Sequence, residues 1–274
     1  MANKTFSWNK VPSIGLLFWL AKLISTGMGE SVSDASNSIL KGIFGGNEYA
    51  GAILTLLWSG ALFAIFLHQQ RSAERYQPIA YWGAVAMLAI FGTCLADSTT
   101  AELGLPIFVL VLIATALLGL CFFFWHRATG NLSIHNIRSR KTEGWYWITV
   151  AVTFALGTLI GDWMADYSVL DLGMGYLNAG IFLAVIFAAL LAYRAVMKPQ
   201  DNSISEILTF WLAYVLTRPI GASFSDYFCY KWDGGILGNR EMSGIFFILF
   251  AAALTALVLN FAKDRRQAKL LKAH

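Results

Sequence analysis

Six acidic residues hold the chemical promise of this 274-residue chain: Glu30, Asp34, Asp97, Asp162, Asp166 and Asp226, each set among small residues at the edge of a long apolar stretch. Glu30/Asp34 and Asp162/Asp166 are four residues apart, a spacing that puts both carboxylates on one face of a helix. Like charges so placed repel, so the pattern calls for a cation, a proton or a basic partner. A charge at the centre of a membrane helix costs about 2.5–3.5 kcal/mol on insertion scales, and such residues usually face a cavity and mark a pathway. The chemistry indicated is a carboxylate cage for a divalent cation, since oxygen ligands suit Mg2+, Ca2+ or Mn2+. Met28 and Met164 stand beside the acids and tilt the preference toward Mn2+. Cys94, Cys121 and Cys229 show no paired spacing, so a zinc site or a disulfide framework does not fit. Against the cage stands a plainer reading, in which Asp34, Asp166 and Asp226 cap helices or lie in loops beyond them.

Two basic residues share these stretches. Lys22 is either a counter-ion for the acids in an empty site or a side chain snorkelling to the nearer membrane edge, the latter preferred. Arg218, followed by Pro219, reads as a gate or anion contact, or else as a salt-bridging residue at a proline kink. Gly29, Gly157, Gly161 and Gly221 flank the acids and permit close helix packing.

The elements that would hold these residues are membrane helices. The chain is 57% hydrophobic and 13% charged, against about 25% charged in soluble proteins. That excludes disorder, a disulfide scaffold and an ordinary cytosolic enzyme. Eight segments approach the roughly 20 apolar residues a crossing needs: 11–30, 50–68, 79–97, 105–125, 145–163, 175–197, 205–226 and 243–262. Their continuous apolar character argues against a β-barrel. The basic N-terminal stretch reads as the approach to the first helix, not as a removable signal.

With these spans, 15 Lys and Arg fall on the side of the termini and three, Lys41, Lys231 and Arg240, on the other. This bias predicts that both termini are cytoplasmic. The net charge of +4 then reflects basic membrane loops and not nucleic-acid binding. Trp8, Tyr81, Trp82, Trp125, Tyr146 and Trp147 fall near the cytoplasmic edge and read as an aromatic belt. The tryptophans are taken as belt and packing residues in preference to ligand platforms. His126 and His135, beside a cytoplasmic loop, are taken as solvated in preference to sensors of pH or metal.

The odd-numbered spans repeat. Phe18-Trp19, Tyr81-Trp82, Tyr146-Trp147 and Phe210-Trp211 open four similar segments that end in small residues and acids. Aligned on those ends, Gly29-Glu30 before Asp34 matches Gly161-Asp162 before Asp166. Ala96-Asp97 is followed by Ala101 at the second acid position, and Gly221-Ala222 keeps only Asp226. In this alignment the Trp-to-small spacing is one turn longer in the two middle units. Odd-numbered spans cross in one direction, which predicts parallel repeats about an axis along the membrane normal, with four acidic ends at one central site.

These aromatic–Trp pairs, with GMGESVSD (27–34), NLSIHNIRSR (131–140), GTLIGDWMAD (157–166) and LTRPIGASFSD (216–226), resemble a bacterial family of uncharacterised integral membrane proteins described as four tandem two-helix repeats, each with a characteristic Trp. The resemblance implies an all-α polytopic protein of the bacterial inner membrane, with eight transmembrane helices in a single domain, 1–274, and repeats near 11–70, 78–127, 143–197 and 204–264. It implies nothing about the activity, which rests on the acids. The expected function is transport of a divalent cation, Mn2+ favoured, coupled to protons, by a protein that is no enzyme, holds no permanent cofactor and works in the lipid bilayer. An intramembrane aspartyl enzyme using Asp97 and Asp162 is the second reading, though its further signatures are missing. A sensor or scaffold is the third, and short loops leave it little surface. No nucleotide-binding or zinc-protease motif is present.

Overall fold

The computed structural model describes residues 9–168, 170–230 and 235–273. Lys4, Trp8 and Lys231, and the side chains of Lys269 and Lys272, lie outside what is described. The described residues form eight α-helices: α1 (Leu16–Ile43), α2 (Glu48–Ser72), α3 (Pro78–Leu103), α4 (Ile107–Thr129), α5 (Arg140–Ala165), α6 (Tyr176–Met197), α7 (Ile204–Cys229) and α8 (Asn239–Ala273). Their ends follow local chemistry. Asn47, Ser139 and Ser203 accept backbone N–H groups as N-caps, and Pro78 sits in the first turn of α3. Gly104 and Gly130 end α3 and α4 in the left-handed conformation.

Seven of these helices are long and apolar enough to cross a membrane. The exception is α1, and the expected span 11–30 is corrected to a helix that begins later and runs on to Ile43. It is polar because of where it sits. Lys22, Ser25, Thr26, Glu30, Ser31 and Ser33 are all buried, so protein, not lipid, is their neighbour.

The helices form two layers. α1, α3, α5 and α7 make an inner ring in which each touches the next and α7 closes on α1. Each even helix lies outside, mainly against the inner helix of the next pair: α2 on α3, α4 on α5, α6 on α7, and α8 on α1. The inner spans of α3, α5 and α7 are 61–72% buried, whereas α2, α4, α6 and α8 are 11–22% buried. Large apolar side chains on the outer helices, such as Phe123, Phe124, Phe247 and Ile248, are exposed. A face of that kind suits lipid.

Candidate functional site

The four aromatic–Trp pairs meet at one end of the inner ring, and their contacts follow a cyclic rule. The first aromatic residue of each pair packs on the Trp of the next pair: Phe18 on Trp82 at 5.7 Å, Tyr81 on Trp147 at 5.4 Å, Tyr146 on Trp211 at 6.1 Å and Phe210 on Trp19 at 5.7 Å between ring centroids. All eight side chains are buried. The expected aromatic belt is therefore corrected: Tyr81, Trp82, Trp125, Tyr146 and Trp147 fill the protein interior. They close the bundle axis instead of facing headgroups.

This ring makes the four tryptophans equivalent and so sets the register of the repeats. Ten residues after each Trp stands a glycine: Gly29, Gly92, Gly157 and Gly221. Each marks a close approach to the following inner helix. A Cβ on Gly29 would come within 2.5 Å of Ala89, on Gly92 within 3.0 Å of Phe154, on Gly157 within 2.5 Å of Arg218, and on Gly221 within 2.7 Å of the Gly27 backbone. Gly161 does not belong to this set, because a Cβ there would meet Pro219 at an ordinary 3.6 Å.

Fifteen residues after each Trp, about 22 Å along a helix, stands an aspartate: Asp34, Asp97, Asp162 and Asp226. These four are the symmetric acids, one per inner helix. The alignment of Glu30 with Asp162 and of Asp34 with Asp166 is corrected accordingly. Every pair among the four lies within electrostatic reach. All four sit inside helices, so Asp34 and Asp226 are not loop residues. Asp226 is 2% exposed, and its Oδ1 has no hydrogen-bond partner. Carboxylate oxygens of Glu30, Asp34 and Asp97 lie within 4.8 Å of one another.

Asp166 stands apart. It caps the end of α5 and accepts from the Tyr176 hydroxyl at 3.4 Å. Burial and the neighbouring Asp171 hold its carboxyl above the usual range, against the hydrogen bond from Tyr176. α5 stops there and Asp166 adopts an extended conformation, so the i,i+4 geometry with Asp162 is the end of a helix, not a shared face deep in the bundle.

At the level of the acids two charges break the fourfold pattern, and they meet. Arg218 Nη2 lies 2.6 Å from Glu30 Oε2, with the two side chains 1% and 5% exposed. Arg218 also donates to the Thr26 carbonyl at 3.0 Å and to the Thr93 hydroxyl. One guanidinium thus ties α7 to α1 and α3 at the level of the acids. It acts as a counter-ion, the salt-bridging reading of the Arg218-Pro219 pair.

Lys22 lies deeper, 1% exposed, with Nζ 3.7 Å from the centre of the Phe154 ring and 4.3 Å from that of Tyr214. The snorkelling reading is corrected: an inner-ring helix offers no route to the membrane edge. The two aromatic faces supply the neighbours that lipid headgroups were expected to provide.

The family model described as Repeat of Unknown Function (DUF347) matches residues 80–131, 145–199 and 209–260, more than half of the chain. The chain belongs to this family. No curated protein and no solved structure matches it. Each matched repeat holds one inner helix and the outer helix that follows it. The pair α1–α2 lies outside the matched residues, yet Trp19, Gly29 and Asp34 keep the spacing of the family repeats and complete the ring.

Around these four aspartates stand residues that sequence reasoning passed over. The Tyr230 hydroxyl donates to Asp34 at 2.9 Å, and the Asn239 amide donates to the same oxygen at 3.3 Å. Tyr176 packs on Tyr230 with ring centroids 5.7 Å apart, so two phenols flank the acids. Burial, then the nearby Asp34, raises the Tyr230 hydroxyl above its usual range and keeps it a donor. Gly92 is legible from its distance to Trp82. Tyr230 and Asn239 carry no such periodic signal.

The opposite end is tied by ion pairs. Lys10 and Glu143, both buried, meet at 2.7 Å, and Lys10 Nζ also donates to the Arg71 carbonyl. Glu206, 1% exposed, accepts from Ser133 Oγ at 2.9 Å and faces His135 at 3.5 Å and Arg194 at 3.7 Å. His135 is thus partly exposed, as expected of a loop residue, and also faces two carboxylates, Asp201 and Glu206. Its loop packs on the start of α7, with Ile134 and Ile137 buried beneath it.

Proposed function

We propose that the protein is a membrane carrier for a divalent cation, exchanged for protons at the acidic end of the inner ring. The observation that carries this reading is the approach of Glu30, Asp34 and Asp97 oxygens to within 4.8 Å of one another. Asp162 and Asp226 add negative charge from the remaining two inner helices, and the Oδ1 of Asp226 is buried without a hydrogen-bond partner. Five carboxylates against one guanidinium leave an excess of negative charge that a buried site holds only with a cation or with protons. Exchanging one for the other is the elementary step of a proton-coupled carrier.

Oxygen-only donors favour Mn2+, Mg2+ or Ca2+. Met28 and Met164 are buried in the hydrophobic core, so Mn2+ is the first ion to try on grounds of ligand hardness and adaptable geometry, not of thioether ligation. On the bias of basic residues we place both termini and the aromatic ring toward the cytoplasm of a bacterial inner membrane, with the acids toward the other side. In this reading the protein is no enzyme and keeps no resident cofactor.

The test is flux into proteoliposomes carrying a metal-sensitive dye, with Mn2+, Mg2+ and Ca2+ tried singly and a pH gradient imposed or collapsed. Wild-type protein is expected to move at least one of the three ions, and Asp97→Asn to lower that flux at least tenfold. Absence of flux for all three, with folded protein in the vesicles, overturns the proposal.

A further inference from the structure

We infer that Arg218 is a built-in competitor of the transported cation, holding Glu30 when no ion is bound and released from it when one binds. The inference rests on the reading of the acidic end as a divalent-cation site. Its first support is the way the pair breaks the repeat. Seven residues after each Trp stand Thr26, Ala89, Phe154 and Arg218, and eleven after stand Glu30, Thr93, Thr158 and Ala222. Each row holds one charged residue, and these two bond to each other at 2.6 Å. A purely structural link between inner helices needs no charge, because the other three helix contacts at this level are made by glycine against Ala89, Phe154 and Thr26.

The second support is that the paired carboxylate is also a ligand. Glu30 belongs to the group of three whose oxygens converge, so an ion that takes all three must draw on the carboxylate the guanidinium holds. The third is that both sides have unmet demand. Arg218 Nε and Asp226 Oδ1 are buried without hydrogen-bond partners, though both residues are 1–2% exposed. Gly157 packs against the Arg218 Cβ and Cγ and so fixes the stem, which leaves only the outer torsions of the side chain to turn its planar donors from Glu30 toward Asp226 or the other aspartates. The effect is to offset part of the negative charge of the empty site and to oblige the ion to displace a tethered cation, which lowers affinity and speeds release.

The test is Mn2+ binding to purified protein by titration calorimetry, repeated with Mg2+ and Ca2+. Arg218→Gln is expected to bind at least tenfold more tightly than wild type, and Arg218→Lys to stay near wild type. Removing Arg218 alone leaves Glu30 buried and unpaired, so a second comparison covers a variant that does not fold. Glu30→Gln is expected to bind at least tenfold more weakly than wild type, and the double variant Glu30→Gln/Arg218→Gln to recover at least fivefold of that loss. Wild-type binding with no gain in Arg218→Gln and no recovery in the double variant overturns this inference and leaves the carrier reading standing. No binding of any of the three ions by folded wild type overturns both.

Discussion

Gly157 on α5 lies so close to Arg218 on α7 that a methyl group added to the glycine would come within 2.5 Å of the arginine's Cβ and 2.6 Å of its Cγ. The same relation recurs around the ring between a glycine ten residues after one Trp and the residue seven after the next. Backbone proximity at these four points is what brings the aspartates, one and a half turns further on, to a common end.

Gly157→Ala therefore forces α5 and α7 apart. Overpacking of this kind costs about 1–3 kcal/mol, and the Arg218–Glu30 bond shifts with it. We expect a clear drop in the thermal unfolding midpoint in detergent. Gly161→Ala, one turn along the same helix, meets Pro219 at 3.6 Å and is expected to leave the midpoint within error. Equal effects of the two substitutions would contradict the packing described.

The aromatic ring makes a parallel prediction. Trp82 is fully buried, packs on Phe18 and donates to the Tyr76 hydroxyl at 3.0 Å. Trp82→Ala is expected to cost about 3–5 kcal/mol, the usual range for a buried aromatic residue. Phe123→Ala removes a ring that is 55% exposed on the outer layer and is expected to be nearly neutral. Were the tryptophans a membrane belt, the two would behave alike. Unfolding in denaturant, followed by circular dichroism, separates the cases.

Fourfold register distinguishes Asp162 from Asp166 although they are neighbours on one helix. Asp162→Asn removes one of the four ring carboxylates and is expected to lower ion flux at least tenfold, as Asp97→Asn and Asp226→Asn do. Asp166→Asn alters the C-terminal end of α5, where the side chain faces Tyr176 and not the other acids of the ring, and is expected to keep flux within about twofold. Flux lost in Asp166→Asn but kept in Asp162→Asn would restore the register in which Glu30 matches Asp162.

The helices and their pairing were legible because lipid-length apolar runs have few other meanings. The true register was legible too, since the Trp-to-Gly and Trp-to-Asp spacings are constant in all four units. It is obscured by local similarity: Gly29-Glu30 and Gly161-Asp162 look alike, and only the ring of aromatic contacts shows that they occupy different positions. The boundaries of α1 were hidden for a physical reason. An inner helix of a membrane bundle does not need lipid-like composition, so Glu30 and Asp34 look like the end of a span when they are its middle. Trp82 and Trp147 read equally well as belt or core, because an amphipathic aromatic suits both. The partner of Arg218 lies 188 positions away in sequence, beyond any local pattern. Tyr230 and Asn239 follow no repeat and are found only by where they point.

The last prediction concerns pH and the end opposite the acids. His135, in the single turn of 3-10 helix at Ile134–Asn136, faces Glu206 at 3.5 Å and Asp201 at 3.7 Å, with Arg194 nearby. Contact with Glu206 raises the imidazole above its ordinary 6.5, against partial burial and the charge of Arg194. A group whose folded value is raised stabilises the fold fully below its unfolded value and loses that contribution as pH rises through the folded one. The His135–Glu206 contact should therefore stabilise the protein most below pH 6.5 and fade above it. His135 is about one-third exposed, so solvent screening limits the gain to roughly 0.2–1 kcal/mol. Thermal midpoints measured from pH 5.5 to 8.5 are expected to decline more steeply for wild type than for His135→Asn, with the two curves converging at the alkaline end. Parallel curves would show that the imidazole does not charge against Glu206, and a wild-type midpoint that rises with pH relative to the variant would reverse the sign of the coupling.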